Sequence, residues 1–432
     1  MDTGAAIWIL IGGFLLLLVL RVPVAFAMIA ASVATAWYLD LPIAVLAQRM
    51  VSGINSFSLL AIPFFILAGE IMGAGGISKR LIDLSNVLVG RVRGGLAIVN
   101  VAASMFFGGI SGSSVADTSS IGSVLIPMMK EKGYDADYSV AVTISSSAQG
   151  ILVPPSHNMI IYSLAAGSTV SVAAMFAGGL LPGIFLGLAL MVSSYVIAVR
   201  RNYPREAGVP WHQARRTIRE AVLGLMTAVI IMVGVLTGIF TATESSAVAV
   251  VYALVIAAFV YRELPLPRLL QALFNSLRTL AIVVALISAS SAFGWLLALL
   301  KVPALVTDAL LTISHSPIVV MLIINVVLLV LGMIMDMAPL ILITTPILLP
   351  IATGIGMDPV HFGIVMMLNL SIGLLTPPVG STLFVGWAIG NISIERSAKA
   401  MIPFYVTMLT VLMIITYFPA TFMWVPRLML GY

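Results

Sequence analysis

The sequence predicts an all-α polytopic membrane protein made of two inverted halves, each with a re-entrant hairpin and a broken helix. Three observations predict it. Hydrophobic residues fill 61% of the 432 positions and charged residues only 9%, with a mean hydropathy of +1.16, whereas an ordinary soluble domain is about 25% charged. Most of the chain therefore cannot face water, which excludes a cytoplasmic enzyme, a secreted disulfide scaffold and a disordered interaction protein. The 21 Lys and Arg, behind a net charge of +5, are scattered between apolar runs, so they read as topology signals and no nucleic-acid partner is expected. Thirdly, helix-breaking residues recur at a fixed offset. The absence of cysteine removes thiol catalysis, thiolate ligation and disulfides.

A spanning helix needs about 20 apolar residues. On that template full crossings fall near 5–20, 22–38, 58–75, 137–165 and 176–199, and again near 222–240, 245–261, 281–300, 359–390 and 400–420. The first run lacks a basic n-region and places its first cation, Arg21, after the apolar stretch, so it reads as a retained helix with its start outside. Apolar segments 94–130 and 316–350 are interrupted by glycines or polar residues and read as hairpins that return to the side they came from. With that folding, 18 of the 21 Lys and Arg fall inside, and only Arg49, Lys301 and Arg427 outside, as the positive-inside rule requires. The polar stretch from Arg200 to Arg219 is then a cytoplasmic linker. Sparse charges in Leu39 to Ser58 and in Glu263 to Arg278 suggest amphipathic arms along the membrane surfaces.

The repeat emerges at a shift of 223 positions. Of nine Gly or Pro residues between Gly109 and Gly167, seven recur: Gly109 with Gly332, Pro127 with Pro350, Gly133 with Gly356, Gly150 with Gly373, Pro154 and Pro155 with Pro377 and Pro378, and Gly167 with Gly390. Five crossings per half is an odd number, so the second half is inserted upside down. Inverted repeats with interrupted helices mark secondary transporters, whose sites lie mid-membrane where the repeats meet.

The chemistry is expected at the breaks. The first hairpin tip carries Ser111, Ser113, Ser114 and Asp117, and the crossing after it breaks at Gln149 to Asn158; the second half offers Gly332 and Asp336, then a break from Gly373 to Thr382. Proline removes a donor and frees a carbonyl, which must find a partner in hydrocarbon. A hard cation such as sodium, held by carbonyls, hydroxyls and a carboxylate, would satisfy several at once. Asp117 and Asp336 have no Lys or Arg in their hairpin cores; each either ligates a cation, is protonated, or caps a helix. Ser145, Ser146, Gln149, His157 and Asn158 make the first break the more polar one, so substrate specificity is expected there, with Ser114 and Thr382 beside it; His157 either meets substrate or packs against a carbonyl. Glu70 either pairs with a neighbouring helix or subunit or acts in transport, and Arg21 and Glu244, related by the same offset, read as span-end anchors or salt-bridge partners.

The tip Gly109 to Thr118, the Pro154-Pro155 break and the run Leu374 to Gly380 resemble the large, DctM-like membrane subunit of tripartite ATP-independent periplasmic (TRAP) transporters, over essentially the whole chain. The resemblance implies a sodium-driven importer of a small organic acid, of the C4-dicarboxylate, sialic acid or keto-acid class, that works as an elevator in a bacterial or archaeal cytoplasmic membrane. It implies two protein partners besides membrane lipid: a small membrane subunit of about four helices and a periplasmic substrate-binding protein. Carried over by motif, Ser111, Ser113, Asp117 and the carbonyls around Gly150, Val153 and Pro154 would hold one sodium, and Gly332, Asp336, Gly373, Thr376 and Pro377 another. The resulting division is first scaffold helices and arm 1–57, first half of the transport core 58–199 with broken helix 137–165, linker 200–221, second scaffold helices and arm 222–280, and second half of the core with the last helix 281–432, its broken helix at 359–390.

Three rival readings fit the residues less well. Divalent-anion sodium symporters, which need no binding protein, carry Ser-Asn-Thr at their tips, and neither tip here does. An intramembrane aspartyl protease would use Asp117 and Asp336 as a dyad, but Ala116-Asp117 and Met335-Asp336 are not its Tyr-Asp and Gly-x-Gly-Asp contexts. A passive channel lacks a charged ring or carbonyl filter. No nucleotide motif is present, so ATP is not expected to drive the chain.

Overall fold

In the computed structural model, residues 2–205, 209–378 and 380–431 are described; residues 206–208 of the expected linker and Val379 of the second expected break lie outside them. The first half runs α1 (Thr3–Val19), α2 (Val24–Tyr38), α3 (Ile43–Ile54), α4 (Ala61–Ala74) and α5 (Ile77–Val89), then α6 (Gly95–Ser111) and α7 (Ser114–Glu131), α8 (Ala136–Ser147), α9 (Gln149–Leu152), α10 (His157–Ala165) and α11 (Val172–Arg200). The second runs α12 (Trp211–Leu236), α13 (Ala242–Val260), α14 (Leu266–Leu299), α15 (Val302–Ile313), α16 (Pro317–Gly332), α17 (Met337–Gly354), α18 (Pro359–Leu374), α19 (Ser381–Gly390), α20 (Ile394–Tyr417) and α21 (Trp424–Leu430). The offset of 223 carries α7 onto α17 at both ends and the start of α8 onto that of α18.

Among the described residues six helices, α11 to α14, α17 and α20, are long and apolar enough to cross a membrane, or seven if α4 and α5, bent by 72° at a short break, form one span. The ten crossings expected from apolar runs include α1, α2, α18 and α19, which are apolar but shorter. Conversely α17, expected as a hairpin arm, has spanning length.

Two expectations need correction. The second surface arm, expected to end at Arg278 before a separate crossing, is continuous with that crossing in the 34-residue α14. Nothing between Leu269 and Phe293 breaks a helix: Pro267 sits in the first turn, where its missing N–H costs no intrahelical bond, and the next glycine is Gly294. Secondly, α12 begins at Trp211, inside the expected linker. What precedes it is pinned to the loop before α6 by Gly94 N–H to Pro204 O (3.1 Å) and Arg205 Nε to Arg91 O (2.7 Å). Glu244, expected as an anchor or ion-pair partner, closes a capping box with Thr241 at the start of α13, satisfying amides that the helix leaves free.

Helices α2 to α4 pack with α13 and α14 as a frame, which takes in α4 although the expected division put it in the core half 58–199; α12 packs on α13 and α5, and the α6–α7 and α16–α17 pairs surround α8 and α18. Residues 138–152 and 360–375 are buried on every side, the pattern of helices at the centre of a bundle. Both end at Pro-Pro pairs, since proline has no N–H and pushes the preceding residue out of the helical region; Val153 is accordingly extended (φ −78°, ψ 119°). The first hairpin turns at Gly112, whose φ of +61° favours glycine. Ser113 then caps α7 by accepting from Ala116 N–H at 3.3 Å.

The bend between α4 and α5 is held by Arg80. It bridges to Glu263 at 2.8 Å, donates to Gly76 O at 2.9 Å and lies 3.7 Å over the Tyr261 ring. Gly76 at φ +76° leaves room for Glu263, whose Oε2 would stand 1.7 Å from an added Cβ. Arg80→Ala should destabilise the purified protein by about 1–2 kcal/mol, read as a lower melting temperature in detergent; Glu263→Gln should reproduce part of that loss, and an unchanged melting temperature in both would show that the bend does not depend on them.

Candidate transport site

A cavity of about 580 Å³ lies between the hairpin tips and the frame, within the roughly 300–1,000 Å³ of small-molecule sites. Its core wall is formed by Ser111, Ser113 and Ser114 of the first tip, His157 and Asn158 at the start of α10, and Asp336 at the second tip. Its frame wall is α4, with Glu70, and α14, with Arg268, Gln271, Asn275 and Thr279.

The first tip stands on the first break by backbone contact. A Cβ on Gly108 would lie 2.3 Å from Gly150 Cα, one on Gly109 would lie 3.0 Å from Pro154 O, and one on Gly112 would lie 3.1 Å from His157 N. Asn158 Nδ2 donates to Gly112 O at 3.3 Å, tying α10 to the tip. Across the second break the same approach is made by Gly332 and Gly373, whose added Cβ would lie 2.6 Å from Gly332 Cα. The halves also meet each other. Ser114 Oγ lies 2.7 Å from Ser147 Oγ and 3.1 Å from Thr382 Oγ1, and Ser371 donates to Ala148 O at 3.2 Å.

Several carbonyls expected to be freed at the second break have donors within the protein. Ile372 O accepts from Thr376 Oγ1 (2.7 Å), Gly373 O from Thr376 N–H (2.9 Å), and Leu375 O from the Tyr405 hydroxyl. Each carbonyl keeps a second lone pair. Asp117 is different: it is fully buried one helical turn below the first tip, and neither carboxylate oxygen has a hydrogen-bond partner among the described residues. Its neighbour Ser104 donates instead to Ser146 Oγ at 3.1 Å. An uncompensated buried carboxylate is costly, and a cation beside it fits this environment. Asp336 is the N-cap residue of α17, makes no side-chain cap bond and lines the cavity. No three His, Asp or Glu side chains converge on one point among the described residues, so a cation here would be held mainly by hydroxyls and backbone.

The expected substrate residues separate into two groups. Ser114, His157 and Asn158 line the cavity. Ser145, Ser146, Gln149 and Thr382 lie buried behind it: Ser145 donates to Met401 Sδ (3.4 Å), Ser146 to Asn100 Oδ1 (3.2 Å), Gln149 to Val101 O (3.3 Å), and Thr382 meets Ser114. Sequence alone does not single out Arg268, Gln271 and Thr279. Their signal is a polar series at helical spacing beside an apolar run, but Arg268 and Gln271 fall within the stretch 263–278 that suggests a surface arm, and Thr279 just after it.

The family described as tripartite ATP-independent periplasmic transporter, DctM component, matches residues 11–421. The chain belongs to that family. It is 41% identical over 414 residues to the isethionate TRAP transporter permease protein of Oleidesulfovibrio alaskensis, covering 95% of this chain and 65% of that protein. It is 39% identical over 386 residues to the sialic acid TRAP transporter large permease of Vibrio cholerae, covering 89% and 90%. The crystal structure of the YdaH transporter of Alcanivorax borkumensis superposes with a TM-score of 0.67 at 12% identity, covering 89% of this chain and 90% of that one, so the fold is shared. A TRAP large permease is a transporter subunit and not an enzyme, which removes the protease reading. In this permease the Gly332–Gly373 approach leaves no space for a methyl group: Gly373→Ala should cost about 1–3 kcal/mol by overpacking, seen as a lower melting temperature, whereas Gly354→Ala, with nothing within 4 Å of the added Cβ, should leave the melting temperature unlowered; equal losses in both would remove the packing explanation.

Proposed function

We propose that this TRAP large permease imports a small organic acid with sodium across a bacterial cytoplasmic membrane, taking its cargo from a periplasmic binding protein and working beside a small membrane subunit. The observation that carries the proposal is the cavity between frame and tips, with hydroxyls, an asparagine and a carboxylate on the core wall and a guanidinium on the frame wall. Relatives named for isethionate and for sialic acid support the organic-acid class, and the relative that extends well beyond this chain, named as a combined DctMQ permease, supports a second membrane component.

One sodium would sit by Ser111, Ser113 and Asp117 with the carbonyls of Gly150, Val153 and Pro154; a second would sit by Gly332, Asp336, Gly373, Thr376 and Pro377. Sodium would supply the positive charge that the orphaned Asp117 carboxylate lacks, and a shell of oxygens suits a hard cation. The hydroxyls of Ser111 and Ser113, the Asn158 amide and the helix termini at the tips would orient the acid. Because each tip packs backbone to backbone on its own break, tip and break would move as one body against the α13–α14 frame, the elevator element of the reading. The two halves are read as inverted in the membrane, which makes inward-open and outward-open arrangements related by symmetry.

In proteoliposomes, uptake should need sodium, the small subunit and the loaded binding protein together; uptake by the large permease alone would favour a binding-protein-independent symporter. Asp117→Asn and Asp336→Asn should each shift the sodium activation curve to higher concentration by about tenfold, as expected when a charge-assisted ligand is lost, and unshifted curves in both would remove the carboxylates from the cation sites.

A further inference from the structure

The cavity's frame wall carries a feature that the tips do not explain. Arg268, Gln271, Asn275 and Thr279 stand at spacings of three, four and four on the unbroken α14, which is one face of a helix. At 1.5 Å per residue they extend about 16 Å along the axis, roughly half the hydrocarbon depth, and apolar Ile282 and Val283 continue that wall beyond them. A polar stripe is out of place on a helix of this apolarity unless it borders water or a polar cargo.

The stripe is internally ordered. Gln271 Nε2 donates to Asn275 Oδ1 at 3.0 Å, and Asn275 Nδ2 donates to Glu70 Oε2 at 3.3 Å. The Glu70 carboxylate is thus engaged by an amide, and Arg268 forms no ion pair with any described residue; its guanidinium donates to Glu263 O at 3.3 Å. Arg268 is also the only guanidinium or ammonium among the described residues lining the cavity, and its planar fork matches a carboxylate or sulfonate.

We infer that Arg268, with the amide stripe below it, is a frame-borne subsite for the cargo's anionic group at the cytoplasmic mouth, through which the acid leaves after the core has released it. The inference rests on the organic-acid reading above and on the topology that puts Arg268 inside. The core moves and the frame does not, so a residue on α14 at that mouth meets the cargo only when the cavity opens inward. Arg268 therefore sets the affinity of the internal side and leaves external capture unchanged.

The test uses proteoliposomes holding both membrane subunits, with the binding protein outside, and a panel of labelled isethionate, sialic acid, C4-dicarboxylates and keto acids, from which the acid carried fastest by the wild type is taken. Two quantities are measured: the internal concentration of that acid that halves uptake, and the external concentration of loaded binding protein that half-saturates it. Arg268→Gln should raise the internal value about tenfold, Arg268→Lys about threefold, with the external value and the sodium midpoint unchanged in both. An internal value in Arg268→Gln within twofold of the wild type overturns the subsite while leaving the transport reading intact, and so does a rise of internal and external values together, which marks a structural role. A wild type that carries none of the acids overturns the reading and the subsite with it.

Discussion

The structure depends on one constraint: backbone interrupted inside a bilayer must find its partners within the protein, because hydrocarbon offers none. Two proline pairs interrupt the backbone here, and each interruption is met by glycines of its own hairpin. Gly108 and Gly109 lie on Gly150 and Pro154, and Gly332 lies on Gly373, at separations that leave no room for a side chain. The broken helices then touch each other through Ser371 and Ala148, and the first tip reaches α19 through Ser114 and Thr382. Backbone and hydroxyls from both halves meet as a result, and the cavity opens beside them, lined by Ser114 of the first tip and Asp336 of the second.

That arrangement packs each hairpin tip on its own break, beside the helices α2 to α4, α13 and α14. Residues 138–152 and 360–375 are buried on every side and each tip packs on its own break, whereas towards α4 and α14 the tips face a cavity, although α4 still touches the first tip where a Cβ on Gly69 would stand 3.4 Å from Ser111 Cα. The cavity between unit and frame has polar groups on both walls, among them Ser111, Ser113 and Asn158 on one side and Gln271 and Asn275 on the other. Asp336 and Ser113, from opposite halves, line the same cavity, so on the proposed reading ion and cargo would be coupled without a long-range relay.

Much of this was legible in the sequence, for reasons that differ by element. The Pro-Pro breaks and the first hairpin tip were legible because proline and glycine act locally, and the membrane class followed from composition. The family followed from the motif at the first tip. The length of α14 was not legible: Arg268, Gln271 and Asn275 lower the local hydropathy and make the first turns look like a separate surface helix, although no residue there stops a helix. The roles of Ser145, Ser146 and Gln149 beside the break were equally hidden, since proximity in sequence does not say which side of a helix faces a cavity. In the structure those side chains bond to Met401, Asn100 and Val101. Asp117 stood out from sequence as an acid without a cation, and it is buried without a hydrogen-bond partner among the described residues.

The meeting of the two interrupted halves is open to direct measurement because the chain has no cysteine of its own. A protein carrying Cys at both 114 and 382, where the native hydroxyls lie 3.1 Å apart, can be oxidised in native membranes and the cross-link scored by peptide mass spectrometry. The account predicts a disulfide in high yield, with Cys pairs displaced by two residues on either helix giving little. Two reactive thiols that stay unlinked would contradict it.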